Sequence, residues 1–192
     1  NISVVLIKMN NKEKDMKKNV QSGRSMIEML GVLAIIGVLT VGGYGLINKA
    51  QTSRSVTLTI DQLTSLAQKV RYYARDCDED CKGDITSKIN EEGIFPEGLT
   101  YDDGKFSNRD DVVYTVEYLG EDDESGALYT ITLNNLGEEA CTQLATINLG
   151  TADANGFVSR VIGGGKSSVQ YSLTEAVNNC DGGNKKIRFG FR

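Results

Sequence analysis

An α+β fold is predicted for this chain, with one long N-terminal helix laid on an antiparallel β-sheet head. Three observations carry that prediction. Residues Met26–Ile47 are apolar apart from Glu28 and a few small or hydroxyl residues, and the apolar positions then narrow to a stripe recurring every three or four residues. Beyond Cys77 the pattern changes to β-branched and aromatic segments bounded by turn residues. The strands follow a single helix rather than alternating with helices, which is the α+β order.

The helix is expected from about Ser25 to Arg75. Its uncharged run Met29–Ile47 has 19 residues, close to the roughly 20 that cross a bilayer as a helix. Gly31, Gly37, Gly42, Gly43 and Gly45 lie inside it. In water each would cost about 1 kcal/mol relative to Ala; in a membrane helix they let neighbouring helices approach closely. The second half carries Val56, Ile60, Leu63, Leu66, Ala67, Val70, Tyr73 and Ala74 on one face. Arg54, Asp61, Gln62, Lys69 and Arg75 lie on the opposite face. A rod that is apolar all round and then amphipathic suits one end in lipid and the other packed on a domain.

In the head, Val112–Leu119 and Leu128–Leu133 read as an antiparallel hairpin across the acidic, glycine-containing turn Gly120–Ala127. Glu138–Ala145 reads as a short helix, Phe157–Ile162 and Ile187–Phe191 as further strands, and Leu173–Val177 as one helical turn. No internal repeat is present.

Charge divides the chain. Residues 1–23 hold five lysines against Glu13 and Asp15, a balance of +3 in a protein whose net charge is −5, so the remainder carries −8. Residues 1–23 read as a basic leader without a fold of its own, with initiation expected at Met9 or Met16 because position 1 is Asn. Residues 24–50 then form the membrane helix and 51–192 the head. Lysines before the span and acidic sequence after it place the N-terminus in the cytoplasm by the positive-inside rule. An acidic head also argues against nucleic acid as a partner, since phosphate binding relies on clustered cations.

The absence of histidine removes the commonest general base and the favoured nitrogen ligand for zinc. No serine, cysteine or carboxylate pair stands in a recognisable catalytic setting, so neither an enzyme nor a cofactor is expected. The four cysteines, Cys77, Cys81, Cys141 and Cys180, suggest two disulfides in an oxidising compartment, with three pairings open. For Cys77 and Cys81, within Arg-Asp-Cys-Asp-Glu-Asp-Cys, the preferred reading is a local disulfide. A metal or calcium site on Asp76, Asp78, Glu79 and Asp80 is the alternative. Gly163-Gly-Gly-Lys-Ser167 hints at a phosphate loop, but that motif needs glycine at position 160, where Arg160 stands. The run is read as a turn, and the basic group Lys185, Lys186, Arg188 and Arg192 as a solvated strand face.

The most informative segment is Gly23-Arg-Ser-Met-Ile-Glu28-Met-Leu-Gly-Val-Leu-Ala-Ile-Ile-Gly-Val-Leu39. It resembles the type IV prepilin signature, a basic leader ending in glycine before a hydrophobic helix with glutamate as its fifth residue. An ordinary secretory signal is cut after its hydrophobic core, whereas this pattern would be cut before it. The longer leader and Met-rich start are closer to the type IVb group. The resemblance implies cleavage between Gly23 and Arg24 by a membrane prepilin peptidase, which often methylates the new amine. The first mature residue would be Arg24, where the family usually begins with Phe, Met or another apolar residue. It also implies that Cys141 and Cys180 close the variable C-terminal loop, and that a basic-aromatic strand such as Lys185–Arg192 ends the chain.

An ionised carboxylate inside a membrane helix costs about 2.5–3.5 kcal/mol, so Glu28 needs a partner. In a filament the freed α-amine of Arg24 from a neighbouring subunit, or its guanidinium, would supply one; otherwise Glu28 reaches water at the bilayer edge. The expected protein is thus a pilus subunit, held in the bacterial inner membrane before assembly and in an extracellular filament afterwards. Its expected partners are copies of itself, the peptidase, membrane lipid, and a separate assembly platform and ATPase. A type II secretion pseudopilin or minor pilin shares this chemistry. A monomeric, membrane-tethered binding or sensor domain is the alternative of another class.

Overall fold

Residues 51–75 contain neither glycine nor proline and keep their apolar side chains on one face, and they form a continuous helix, α1. The computed structural model describes residues 51–77, 81–120, 126–151, 156–182 and 185–192, all within the unit Gln51–Arg192. The leader, the apolar run Met29–Ile47 and the first half of the predicted helix lie outside the described residues. Among the described residues no helix is long and apolar enough to cross a membrane.

Val56, Thr59, Leu63, Leu66, Ala67, Val70 and Ala74 of α1 are buried, and Ile60 and Tyr73 pack partly against the same core. The stripe read from the sequence is therefore the buried face. Opposite it, Arg54, Asp61, Lys69 and Arg75 are exposed.

Seven strands follow in one antiparallel sheet: β1 (Gly83–Asp84), β2 (Thr100–Asp102), β3 (Lys105–Ser107), β4 (Val113–Tyr118), β5 (Tyr129–Leu136), β6 (Phe157–Ile162) and β7 (Lys185–Phe191). Their order is β2-β3-β4-β5-β7-β6, with β1 also paired to β4. The helices are α2 (Thr86–Glu91), α3 (Glu138–Thr146) and α4 (Leu173–Cys180). The last strand is thus an interior one, inserted between β5 and β6. The predicted hairpin is β4–β5, in register from Val113 opposite Asn134 to Tyr118 opposite Tyr129.

Because side chains alternate along strands, this register stacks three buried rows across four strands. One row is Tyr118, Tyr129, Phe191 and Phe157; the next is Val116, Ile131, Phe189 and Arg160; the third is Tyr114, Leu133, Ile187 and Ile162. Aromatic pairs reinforce the first row, with Tyr129 stacked on Phe191 at 5.6 Å and Phe157 edge-on to Phe191 at 5.9 Å. Every member is apolar or aromatic except Arg160.

Three tyrosine hydroxyls join these rows to α1 and its C-terminal end. Tyr129 Oη donates to the Ala67 carbonyl at 2.6 Å, Tyr114 Oη to Gln62 Oε1 at 3.0 Å, and Tyr118 Oη to the Cys77 carbonyl at 3.0 Å. Large apolar rings thus fill the helix–sheet layer while their one polar atom is satisfied. Burial pushes the Tyr114 hydroxyl up to about 12 and raises that of Tyr129 further. An acid whose folded pKa is raised keeps a proton that the unfolded chain releases near pH 10, so stability falls as pH rises beyond that value. We expect the phenolate absorbance to show Tyr114 and Tyr129 silent to about pH 11 and titrating only as the fold opens. Early, reversible titration of all the tyrosines would contradict this anchoring.

The sequence reading left out β1, α2, β2 and β3, which are short. The β2–β3 hairpin did carry a signal: it turns on Asp103-Gly104, both with positive φ (45° and 76°), the dipeptide preferred in tight hairpins. The turn expected at Leu173–Val177 is instead the eight-residue helix α4.

Candidate functional site

The part of the head with the most constructed chemistry is the helical pair α3–α4, which lies between the last three strands in sequence. Cys141 on α3 and Cys180 at the end of α4 are disulfide-bonded, both are fully buried, and their Cα atoms are 5.7 Å apart. Cys77 and Cys81, just past α1, form the second disulfide, and no cysteine is free. Neither pair therefore offers thiolates to a metal, and no metal-ligating cluster occurs among the described residues. Asp78, Glu79 and Asp80 lie outside the described residues.

Helix α3 is only partly finished locally: the Thr146 hydroxyl donates to the Thr142 and Gln143 carbonyls, and Ile147 N to that of Gln143. Glu138 and Glu139 occupy its first turn, where they complement the helix dipole, while its last turn has no basic residue. Its C-cap Ile147 is extended, without a left-handed glycine. The remaining carbonyls of the last turn are met from elsewhere in the chain. Arg160 Nη1 donates to the carbonyls of Leu144 and Ala145 at 2.5 and 3.0 Å, and Nη2 donates to that of Ile147 at 2.8 Å. Tyr171 N also reaches the Ala145 carbonyl, at 3.2 Å, and Gln170 Nε2 reaches that of Thr146, at 2.5 Å.

Arg160 thus caps α3 from strand β6, and its positive charge faces the negative end of the helix dipole. Its partners are carbonyls rather than a carboxylate. The guanidinium also lies 5.0 Å from the Phe157 ring centre and 5.7 Å from that of Phe189, at cation–π distances. Burial pushes its pKa down to about 10, so it remains a cation at neutral pH. A register shift between Phe157 and Ser159 determines which residue points inward. Strict alternation from Phe157 would bury positions 159 and 161; the shift buries Arg160 and Ile162.

The glycine-rich segment after β6 has a structural task. Ser168 pairs with Arg160 along the free edge of β6, through Arg160 N to Ser168 O at 2.8 Å and Ser168 N to Arg160 O at 2.9 Å. The intervening turn is tied down by Gly163 N to Lys186 O at 2.9 Å. Helix α4 then begins with a capping box, in which the Ser172 hydroxyl accepts from Glu175 N and Glu175 Oε2 accepts from Ser172 N. The Ser172 hydroxyl, and next its backbone N–H, hold the Glu175 carboxyl below the usual range. Ala176 and Cys180 face inward, whereas Leu173 and Val177 are exposed. Of the basic C-terminal group, Lys186, Arg188 and Arg192 are exposed and Lys185 is half-buried.

The processing and assembly residues read from the sequence, Gly23, Arg24 and Glu28, lie outside the described residues. Arg160 was overlooked as a structural residue, although an arginine within an otherwise strand-like run was visible in the sequence.

A long helix on an antiparallel sheet, with a disulfide-closed helical pair before a C-terminal interior strand, is a type IV pilin fold. A crystal structure of the type IV b pilin from Salmonella typhi matches it with a TM-score of 0.54, covering 69% of this chain and 97% of that one at 16% identity. No family model matches the sequence, and no curated protein does.

Proposed function

We propose that this chain is a structural subunit of a type IV pilus. The observation that carries the reading is the pilin fold of residues 51–192, in a chain where Gly23 and Glu28 stand at prepilin spacing before an apolar run. In this reading a prepilin peptidase removes residues 1–23, and the apolar helix first anchors the subunit in the inner membrane. On assembly the helix leaves lipid and packs among its copies. Heterologous contacts that do not close into a ring extend an open filament. The platform and ATPase that drive extension are separate proteins.

Mass spectrometry of the protein from its native membrane tests the first step, with a chain beginning at Arg24 expected. A mature protein that retains its lysine-rich leader would overturn the reading. Glu28→Ala is expected to leave cleavage intact while lowering filament yield at least ~tenfold, because the buried carboxylate would no longer meet the amine of its neighbour. Wild-type filament yield from that variant, counted by electron microscopy, would remove Glu28 from assembly.

A further inference from the structure

We propose that the cavity between residues 51–55 of α1 and the β3–β4 loop binds the headgroup of a phosphatidylethanolamine lipid, holding the head to the membrane until assembly. This inference rests on the reading of the chain as a membrane-anchored pilus subunit and adds a ligand to it. The cavity measures about 310 Å³ and is lined by Gln51, Arg54, Ser55, Arg109 and Asp110.

Hydrogen bonds within the head hold this lining in place. Gln51, Arg54 and Ser55 stand three and four residues apart and so share one face of α1. Facing them, the loop that carries Arg109 and Asp110 is fixed by Asn108, which is buried. Asn108 Oδ1 accepts from Asp110 N and from Val112 N, both at 3.0 Å, and Asn108 Nδ2 donates to Gln62 Oε1 at 3.1 Å. Ser55 Oγ donates to Asp110 Oδ2 at 2.8 Å, which ties the loop to the helix. Among the described residues, the guanidinium groups of Arg54 and Arg109 have no ion-pair or hydrogen-bond partner.

The lining carries both signs of charge, with Arg54 and Arg109 against Asp110, and Asp111 follows in the loop. A plain anion would be drawn by the arginines and repelled by the carboxylates. A zwitterion uses both signs: its phosphate meets the guanidinium forks and its ammonium meets Asp110. Phosphoethanolamine carries those two groups on a short linker.

The place of the cavity in the chain favours a lipid over a soluble ligand. Arg54 lies seven residues beyond Ile47, where the apolar run ends, and seven residues span at most about 25 Å even when fully extended. An anchored chain therefore keeps the cavity within reach of the headgroup layer. Exposed charge pairs are individually weak, but the anchor presents headgroups at high effective concentration. The contact is then lost when the helix is drawn out of lipid.

The test is native mass spectrometry of the full chain, purified in detergent from its own membrane. Phosphatidylethanolamine and phosphatidylglycerol with identical acyl chains are added in equal amounts. The wild type is expected to retain the first at least ~threefold over the second, and the pair Arg54→Gln with Arg109→Gln to retain at least ~threefold less of it, with unchanged circular dichroism. Asp110→Asn, which keeps an acceptor for Ser55 Oγ, should equalise the two lipids. Equal retention by the wild type, or retention that the arginine substitutions leave unchanged, would overturn the site. Displacement by soluble phosphoethanolamine at the same concentration would overturn a lipid as its ligand. The intact mass in the same spectrum reports the N-terminus. A chain that prefers phosphatidylethanolamine but keeps its leader would overturn the filament reading and leave this site standing; a chain beginning at Arg24 without the preference would overturn the site alone.

Discussion

Replacing Arg160 with leucine is expected to destabilise the head by about 3–5 kcal/mol, a fall in Tm of roughly 10 °C for a domain of this size. Many buried charges can be exchanged for apolar residues without loss, because both partners of an ion pair can be replaced together. That route is closed here. The partners of Arg160 are the backbone carbonyls of Leu144, Ala145 and Ile147, which no side-chain substitution removes. Leucine would strip the buried Leu144 carbonyl of its Arg160 donor, leave that of Ala145 with Tyr171 N alone, and withdraw the charge that faces the helix dipole. Arg160→Lys keeps a cation but offers a single ammonium where a planar fork meets three acceptors, so an intermediate loss is expected. Thermal unfolding followed by circular dichroism checks the order wild type, Lys, Leu. A leucine variant as stable as the wild type would show that α3 ends without help from β6.

The second large effect is expected at the disulfides, and the two should differ. Cys141 and Cys180 enclose 38 residues; closing such a loop stabilises by about 3–4 kcal/mol on the chain-entropy model. The double substitution Cys141→Ser with Cys180→Ser should therefore rival Arg160→Leu in cost. Cys77 and Cys81 enclose three residues, for which the same relation gives about 2 kcal/mol. Accessibility points the same way, since Cys141 and Cys180 are fully buried while Cys77 and Cys81 are half-buried. Under a mild reductant, alkylation followed by peptide mapping should label Cys77 and Cys81 first. Labelling of Cys141 and Cys180 at the same rate would mean that the α3–α4 pair opens readily to solvent.

The two sites of large effect were unequally visible beforehand. Helix α1 was legible because Val56, Leu63, Leu66, Ala67, Val70 and Ala74 fall on one face of a 3.6-residue period and are buried, a period that a helix alone produces. The hairpin β4–β5 was legible because Tyr114, Val116 and Tyr118 alternate with outward residues. The strands β1, β2 and β3, of two or three residues each, are too short to show any period. For α4, the pattern predicted a single turn, and its extension to Cys180 coincides with the packing of Ala176 and Cys180 onto the core. Arg160 was hidden for another reason. Its inward direction depends on a register shift in β6, and register is a property of strand pairing rather than of one strand.

The sequence by itself determined the amphipathic helix, the antiparallel hairpin, the α+β order and the division of charge between a basic stretch over residues 1–23 and an acidic remainder. These follow from periodicity and charge, which are local quantities. The tertiary structure alone decided that the last strand lies inside the sheet, that three tyrosines fasten α1, and that a buried arginine finishes α3. Each of those depends on which backbone donors and acceptors, far apart in the chain, remain unsatisfied until the layers meet.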